Sequence, residues 1–276
     1  MPIITKRTQK HRRKRVSILN RTIDYENTGL KLNLYGRSGT GKTTLWNTFP
    51  KPILAIICSS IQDAGELLSI PKAMRKHIKA VELEDSAEIR EVVDYQNESE
   101  HYATVVLDHA TGLQDFVMRE ILGLSEIPVQ LNWGMATQAQ YGEAGVKMRE
   151  YLRALLQLKC NVVIVAQERA FNTGEEHNEV LLPYIASALM PSVVGWLNPA
   201  CNYIAETFIR TKTIEKKVKI HNKTKTIQVP TEEVEYCLRT GASGVYTIKF
   251  RVPIGEKKIP SVIVDPTYDK ITAMLD

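Results

Sequence analysis

The sequence predicts an α/β fold with a mostly parallel central sheet and a C-terminal β-rich extension. Three observations predict it. Strands and helices alternate as far as Ile204; "PILAIIC", "ATVVLD" and "NVVIVA" are unbroken apolar runs; and a glycine-rich turn joins the first strand to the helix after it. Helical crossovers cover both faces of a parallel sheet, so its strands need apolar residues at every position rather than every second one.

In order, "KLNLY" (31–35) is a short strand, the glycine-rich turn follows, and "TTLWNTF" begins a helix. "PILAIIC" (52–58) is the second strand and "KAVEL" (79–83) the third, with "AMRKHI" and "SAEIREVVDYQ" helical on either side of it. "ATVVLD" (103–108) is a buried strand leading into a helix around Leu113–Leu122. Residues 145–158 place Val146, Met148, Tyr151, Leu152, Leu155, Leu156 and Leu158 near helical spacing. "NVVIVA" (161–166) is the next strand. The uncharged stretch Val180–Ala205 is divided by Pro183, Pro191 and Pro199, so it reads as a buried helix and strand and not as a membrane span. Beyond it, "KKVKIHNKTKTIQV", "VEYCL", "VYTIKFRV" and "SVIV" read as short strands joined by polar turns. The expected organisation is a basic arm and lead-in over 1–28, a core over 29–210, and a β-hairpin extension over 211–276 that completes the core.

Charge is distributed unevenly. The 276 residues carry +5, but the first 23 hold eight Lys/Arg and no acid, which leaves the remainder near −3. With 43% hydrophobic and 24% charged residues the composition is that of a globular protein, which excludes general disorder. Cys58, Cys160, Cys201 and Cys237 lie far apart, with no C-x-x-C and no histidine at ligand spacing. That excludes the common zinc modules and gives no disulfide framework. No apolar segment of signal-peptide length follows the N-terminal charges, and the expected location is cytoplasmic.

The strongest motif is "GRSGTGKT", which matches G-x-x-x-x-G-K-[ST] at each fixed position between a strand and a helix. Its nucleotide-binding positions are Gly36, Arg37, Ser38, Gly39, Thr40, Gly41, Lys42, Thr43 and the adjoining Thr44. The glycines let the backbone turn its amides toward phosphate oxygens, and the following helix adds its positive end. Lys42 is placed to reach the β- and γ-phosphates of ATP, and the Thr43 hydroxyl to ligate Mg²⁺. Asp108, closing a buried strand, is the matching metal-holding acid; a turn acid at a strand end is the bland alternative. Gln167, at the end of "NVVIVAQE", either contacts the γ-phosphate or caps its strand.

The order strand, GRSGTGKT, helix, TVVLD, helix, NVVIVAQ resembles the ATPase core of the RecA superfamily. With "TFPKPILAI", "LNWGMATQAQYGEAGVKMREYLRALL" and "LRTGASGVYTIKFRVP", it is similar to the RecA-like proteins of tailed phages, a group that includes single-strand annealing proteins. The resemblance spans roughly residues 28–271. It implies a RecA-like P-loop NTPase core, an ATP- and Mg²⁺-dependent ATPase, and assembly into a homo-oligomeric ring or filament. It also implies action on single-stranded DNA in recombination, annealing or replication, alongside phage or host proteins of those processes. Gln167 takes the position of the family's switch glutamine. Lys249 and Arg251 in "IKFRV" match a K-x-R strand motif that enters a neighbouring subunit's ATP site. One departure stands out, since no Glu follows the second strand to activate water: Ser59, Ser60, Ile61, Gln62 and Asp63 come next, and neither Asp63 nor Glu66 has the expected spacing. Slow hydrolysis, or ATP acting mainly as an assembly ligand, is expected.

Two basic segments are candidate nucleic-acid contacts. The arm contains Lys6, Arg7, Lys10, Arg12, Arg13, Lys14 and Arg15, a composition equally compatible with a solvating tail or a targeting signal. Residues 210–225 hold seven Lys/Arg, among them Lys217, Lys219, Lys223 and Lys225, against Glu215 alone. The segment after Gln167, "ERAFNTGEEHNE", is net acidic. A second reading of the whole protein therefore stays open: a P-loop switch or assembly factor whose partner is another protein.

Overall fold

A computed structural model describes residues 29–58, 65–99, 101–124, 136–171, 183–220, 223–252 and 259–275, the side chains of 66 and 217–225 excepted. The expected α/β architecture is present: strands β1 (Lys31–Gly36), β2 (Ile53–Ile57), β3 (Ile78–Glu82), β4 (Thr104–Asp108) and β5 (Asn161–Ala166) alternate with helices. These are α1 (Lys42–Trp46), α2 (Lys72–Arg75), α3 (Glu88–Ser99), α4 (Ala110–Ile121) and α5 (Gln138–Leu156). A small hairpin, β6 (Glu168–Phe171) with β7 (Tyr184–Ser187), and α6 (Pro191–Ala200) lead to the long strands β8 (Tyr203–Ile220) and β9 (Lys223–Arg239). Short β10 (Lys249–Phe250), β11 (Val262–Val264) and α7 (Tyr268–Thr272) end the chain.

Among the described residues the main sheet runs β11-β9-β8-β1-β5-β4-β2-β3, with β10 also on β8. From β8 to β3 every pairing is parallel, and β9 and β11 add antiparallel partners at one edge. The unbroken apolar runs have the expected cause. Along β5, Val162 and Ile164 pack with α3, α4, α5 and α6 on one face, while Val163 and Val165 pack with Leu45 and Trp46 of α1 on the other. At about 25 cal/mol per Å² of apolar surface, two buried faces make this central strand a leading source of stability.

Helix α5 begins earlier than the apolar spacing predicts. Thr137 accepts from the Gln140 amide (3.3 Å) and Gln140 Oε1 accepts from the Thr137 amide (2.8 Å), a reciprocal capping box. Gly142 and Gly145 obscure that start in the sequence. At Gly145 α6 comes close: a Cβ there would lie 2.9 Å from Ser192 Oγ, and the serine side chain would have to turn aside.

The C-terminal region differs most from expectation. The segments read as several short strands are two strands of 18 and 17 residues, paired from Glu206↔Arg239 to Ile220↔Lys223 with one irregularity between Thr211 and Thr213. The expected boundary at 210 falls inside β8, because a parallel core strand simply continues as one arm of the hairpin. "VYTIKFRV" supplies only the two-residue β10 and an isolated bridge from Tyr246 to Ile185. No described helix is long and apolar enough to cross a membrane.

A cleft of about 1000 Å³ opens between α4, α5 and α6, lined in part by Thr111, Asp115, Tyr141, Arg169 and Met190. Burial raises the Asp115 carboxyl from 3.8 to about 6. The native group therefore holds its proton to a higher pH than the unfolded one, and its contribution to stability is lost as pH rises from about 4 to about 6. Asp115→Asn should raise the stability at pH 7 by on the order of 2 kcal/mol, seen as a higher thermal midpoint. The difference from wild type should vanish below pH 4 in a melting series; a pH-independent difference would mean that titration is not its cause.

Candidate nucleotide site

β1 delivers the glycine-rich loop to the C-terminal edge of the parallel sheet. Gly39 (φ 79°) and Gly41 (φ 89°) adopt left-handed backbone that a side chain would strain. At Gly36 the constraint is proximity, because a Cβ would come within 2.4 Å of the Thr207 carbonyl oxygen on β8. Lys42 is 8% exposed and folds back over the loop, donating to the carbonyls of Gly36 (2.9 Å) and Arg37 (2.7 Å). Desolvation lowers its pKa, with Asp108 opposing.

Asp108 comes from β4, two strands from β1 with β5 between them. It is 3% exposed; Trp46 Nε1 donates to its Oδ2 at 2.9 Å, and the Thr43 hydroxyl reaches the same oxygen at 3.4 Å. Trp46 is a residue that the motif does not flag. Four positions after Lys42 on α1, it fills the lower core and fixes the acid's orientation at once. His109 caps α4 behind the acid, its Nδ1 accepting from the Gly112 amide at 2.8 Å.

Gln167 follows β5, and its backbone amide donates to Thr111 Oγ1 on α4 at 3.2 Å, tying the two strand ends together. A cleft of about 370 Å³ is walled by Ser38, Gly39, Gly41, Lys42, Thr43, Thr44, Asp108, His109, Gln167 and Tyr236, among others. Three of the nine motif positions turn elsewhere. Gly36 does not line this cleft, and Arg37 ion-pairs with Glu168 (2.7 Å), an exposed contact of little energetic weight. The Thr40 hydroxyl donates to the Arg37 carbonyl and meets Thr207 Oγ1 at 2.7 Å.

The residues fit a hydrated Mg²⁺. One carboxylate and one hydroxyl converge, and no described cluster of three or more His, Cys, Asp or Glu could hold a metal alone. Mg²⁺ is ordinarily held this way, by one or two protein oxygens together with substrate phosphates.

Lys249 and Arg251 share one strand face, as their period-two spacing predicts, but that face meets α6. Lys249 Nζ donates to the carbonyls of Asn198 (2.8 Å), Pro199 (3.2 Å) and Cys201 (2.7 Å). Arg251 donates to the Pro199 carbonyl and Asn202 Oδ1, each at 3.2 Å. Cations at orphan carbonyls and the negative helix end are a favourable cap. Reaching a neighbouring copy's phosphates would cost these bonds.

Of the nucleic-acid candidates, Lys6, Arg7, Lys10, Arg12, Arg13, Lys14 and Arg15 lie outside the described residues. Lys217, Lys219, Lys223 and Lys225 fall at the distal end of the hairpin, with the register Lys217↔Thr226 and Val218↔Lys225. At its base, Arg210 and Lys212 pair with Glu235 (2.8 Å) and Glu233 (2.6 Å) across the strands. Two of that segment's seven cations are thus neutralised. Phe171, the aromatic residue of the acidic segment after Gln167 and hence a candidate to stack on a base, stacks on Tyr184 at 5.2 Å. Residues 59–64, and with them Asp63, lie outside the described set, as does the Glu66 side chain.

A phosphate loop on the central strand, with an oriented acid and a glutamine at the ends of β4 and β5, defines a P-loop nucleotide-binding domain. A family model described as an AAA domain matches residues 28–228, and the chain belongs to that family. Its members are P-loop ATPase-type domains, which bind nucleoside triphosphates, usually with Mg²⁺. Among solved structures the chain is similar to the flagellar accessory protein FlaH from Methanocaldococcus jannaschii, at 9% identity and TM-score 0.42, covering 86% of this chain and 87% of that one. It is also similar to the KaiC-like protein PH0186 from Pyrococcus horikoshii OT3, at 11% identity and TM-score 0.43, covering 87% and 90%. No curated protein sequence matches the chain.

Proposed function

We propose that this protein is a RecA-like ATPase of the phage type, which binds MgATP at the loop, assembles into a homo-oligomer and acts on single-stranded DNA. The convergence of Lys42, Thr43, Asp108 and Gln167 on one cleft carries the nucleotide part. Lys42 binds the β- and γ-phosphates, Thr43 and Asp108 hold Mg²⁺, and Gln167 stands at the γ-phosphate end. Bound Mg²⁺ offsets the phosphate charge. Turnover is slow, in keeping with the missing Glu after the second strand.

The DNA part rests on the sequence resemblance and on the cations of the arm and hairpin, which suit a salt-sensitive backbone contact. The second reading, a switch whose partner is a protein, is favoured by the carboxylates that neutralise Arg210 and Lys212. One experiment addresses the set: ATPase rate against protein concentration, with and without single strands, for the full chain and for a chain lacking residues 1–15. The proposal expects a rate per subunit that rises with concentration and with DNA, and weaker DNA stimulation in the truncated chain. Stimulation absent under all salt conditions, with no filter retention of labelled strands, would leave the protein-partner reading.

A further inference from the structure

The nucleotide cleft has two sides. β5 and β4 stand on one side of β1 and end in Gln167 and Asp108; β8 and β9 stand on the other. With strands about 4.8 Å apart, β4 and β9 lie roughly 10 Å to either side of the loop. Beyond Lys42 and Thr43 of the loop and α1, the cleft-lining groups assigned to the γ-phosphate and its metal, Asp108 and Gln167, stand on the β4–β5 side. A nucleotide laid across the loop therefore directs its base toward β9.

Tyr236 occupies that place. It lines the same cleft as Lys42, Thr43 and Thr44, and its ring lies against the loop, 3.3 Å from where a Cβ on Gly41 would be. The strand beneath it is held firmly. Arg239, on the same strand, is ion-paired to buried Glu206 at 2.6 Å and lies over the rings of Phe208 and Tyr246, and the Asp265 amide donates to the Tyr236 carbonyl at 2.8 Å. Tyr236 is 45% exposed. Its directly opposed neighbour Ile209 is 40% exposed, and Val234, two residues along the same face, is 55% exposed. An apolar shelf with an aromatic ring at its inner end thus begins where the phosphate loop stops.

We infer that Tyr236 is the base-stacking residue of this site, and that a purine ring lies on the shelf formed with Ile209 and Val234. The inference rests on the nucleotide reading of the cleft. Stacking on an aromatic face is tolerant of base identity but stronger for the larger purine surface. The phosphate loop then provides affinity for any triphosphate, and Tyr236 distinguishes a nucleoside triphosphate from bare polyphosphate.

The test is calorimetric titration of the full chain with MgATP and with magnesium tripolyphosphate, for wild type, Tyr236→Ala and Tyr236→Phe. Tyr236→Ala should weaken ATP binding about tenfold, within the range of base–aromatic stacking, while leaving tripolyphosphate affinity unchanged. Tyr236→Phe, which keeps the ring face, should bind both ligands as wild type does. An equal loss for both ligands would mean that the ring merely supports the loop and would overturn the inference. So would an unchanged ATP affinity, including the case where Tyr236→Ala alters only the sedimentation of the protein, since the shelf would then be a contact between copies. A wild type that binds neither ligand would instead refute the nucleotide reading itself.

Discussion

Lys42→Ala abolishes nucleotide binding or turnover while the protein keeps its fold: this is the expected result with the largest functional effect. The ammonium is buried and lies over the loop with only backbone carbonyls of Gly36 and Arg37 as its described partners. Phosphate oxygens offer it charge-assisted bonds, roughly twice as strong as those neutral acceptors. Removing a preorganised group of this kind lowers turnover by about 10² or more. The folded chain gains little from that charge, since desolvation lowers its pKa, so alanine should leave the thermal midpoint near wild type. Titration with MgATP and a melting curve on one preparation check both halves. Wild-type ATP affinity together with wild-type turnover in the variant would remove Lys42 from the site.

Gly112→Ala has the largest expected effect on folding. The residue lies in the first turn of α4, where the helix passes beneath the end of β2, and an added Cβ would stand 1.8 Å from the Cys58 carbonyl oxygen. That neighbour is backbone and cannot rotate away. Either α4 shifts, carrying the His109 cap and the Asp108 strand end with it, or the Cys58–Asp108 backbone bond is lost. The cost should be about 3–5 kcal/mol, at the upper end for a single substitution. Gly142→Ala is the control: it lies in the helix α5 with open space around it and should stabilise by up to about 1 kcal/mol. Denaturant midpoints measure both, and equal midpoints for Gly112→Ala and wild type would mean that the close approach is not maintained in solution.

The parts of the site legible in the sequence are those governed by short-range rules. The loop's glycines, Lys42 and Thr43 follow from a motif in which each spacing has a steric or electrostatic reason. Asp108 follows from an acid that closes a buried strand. Trp46 was in plain view within "TTLWNTF", but an indole reads as core there, and core is half of what it is; its bond to Asp108 joins residues 62 apart. The start of α5 was legible too, through the T-x-x-Q capping box at Thr137, though its glycines weakened the helical pattern. The long hairpin was not, because "HNKTK" looks like one polar turn among several and nothing local sets the length of a strand pairing.

The sequence by itself determined the chemistry of the loop, the alternation of strands and helices, and the double burial of β2, β4 and β5. Each is set by residues within a turn or strand of one another. Only the tertiary structure decided which strands flank β1. That choice puts Asp108 and Gln167 on one side of the loop and Tyr236 on the other, and brings Lys249 and Arg251 to the end of α6. The reason is that pairing order comes from packing both faces of the whole sheet at once. Residues more than a hundred positions apart become neighbours with no local pattern to announce it.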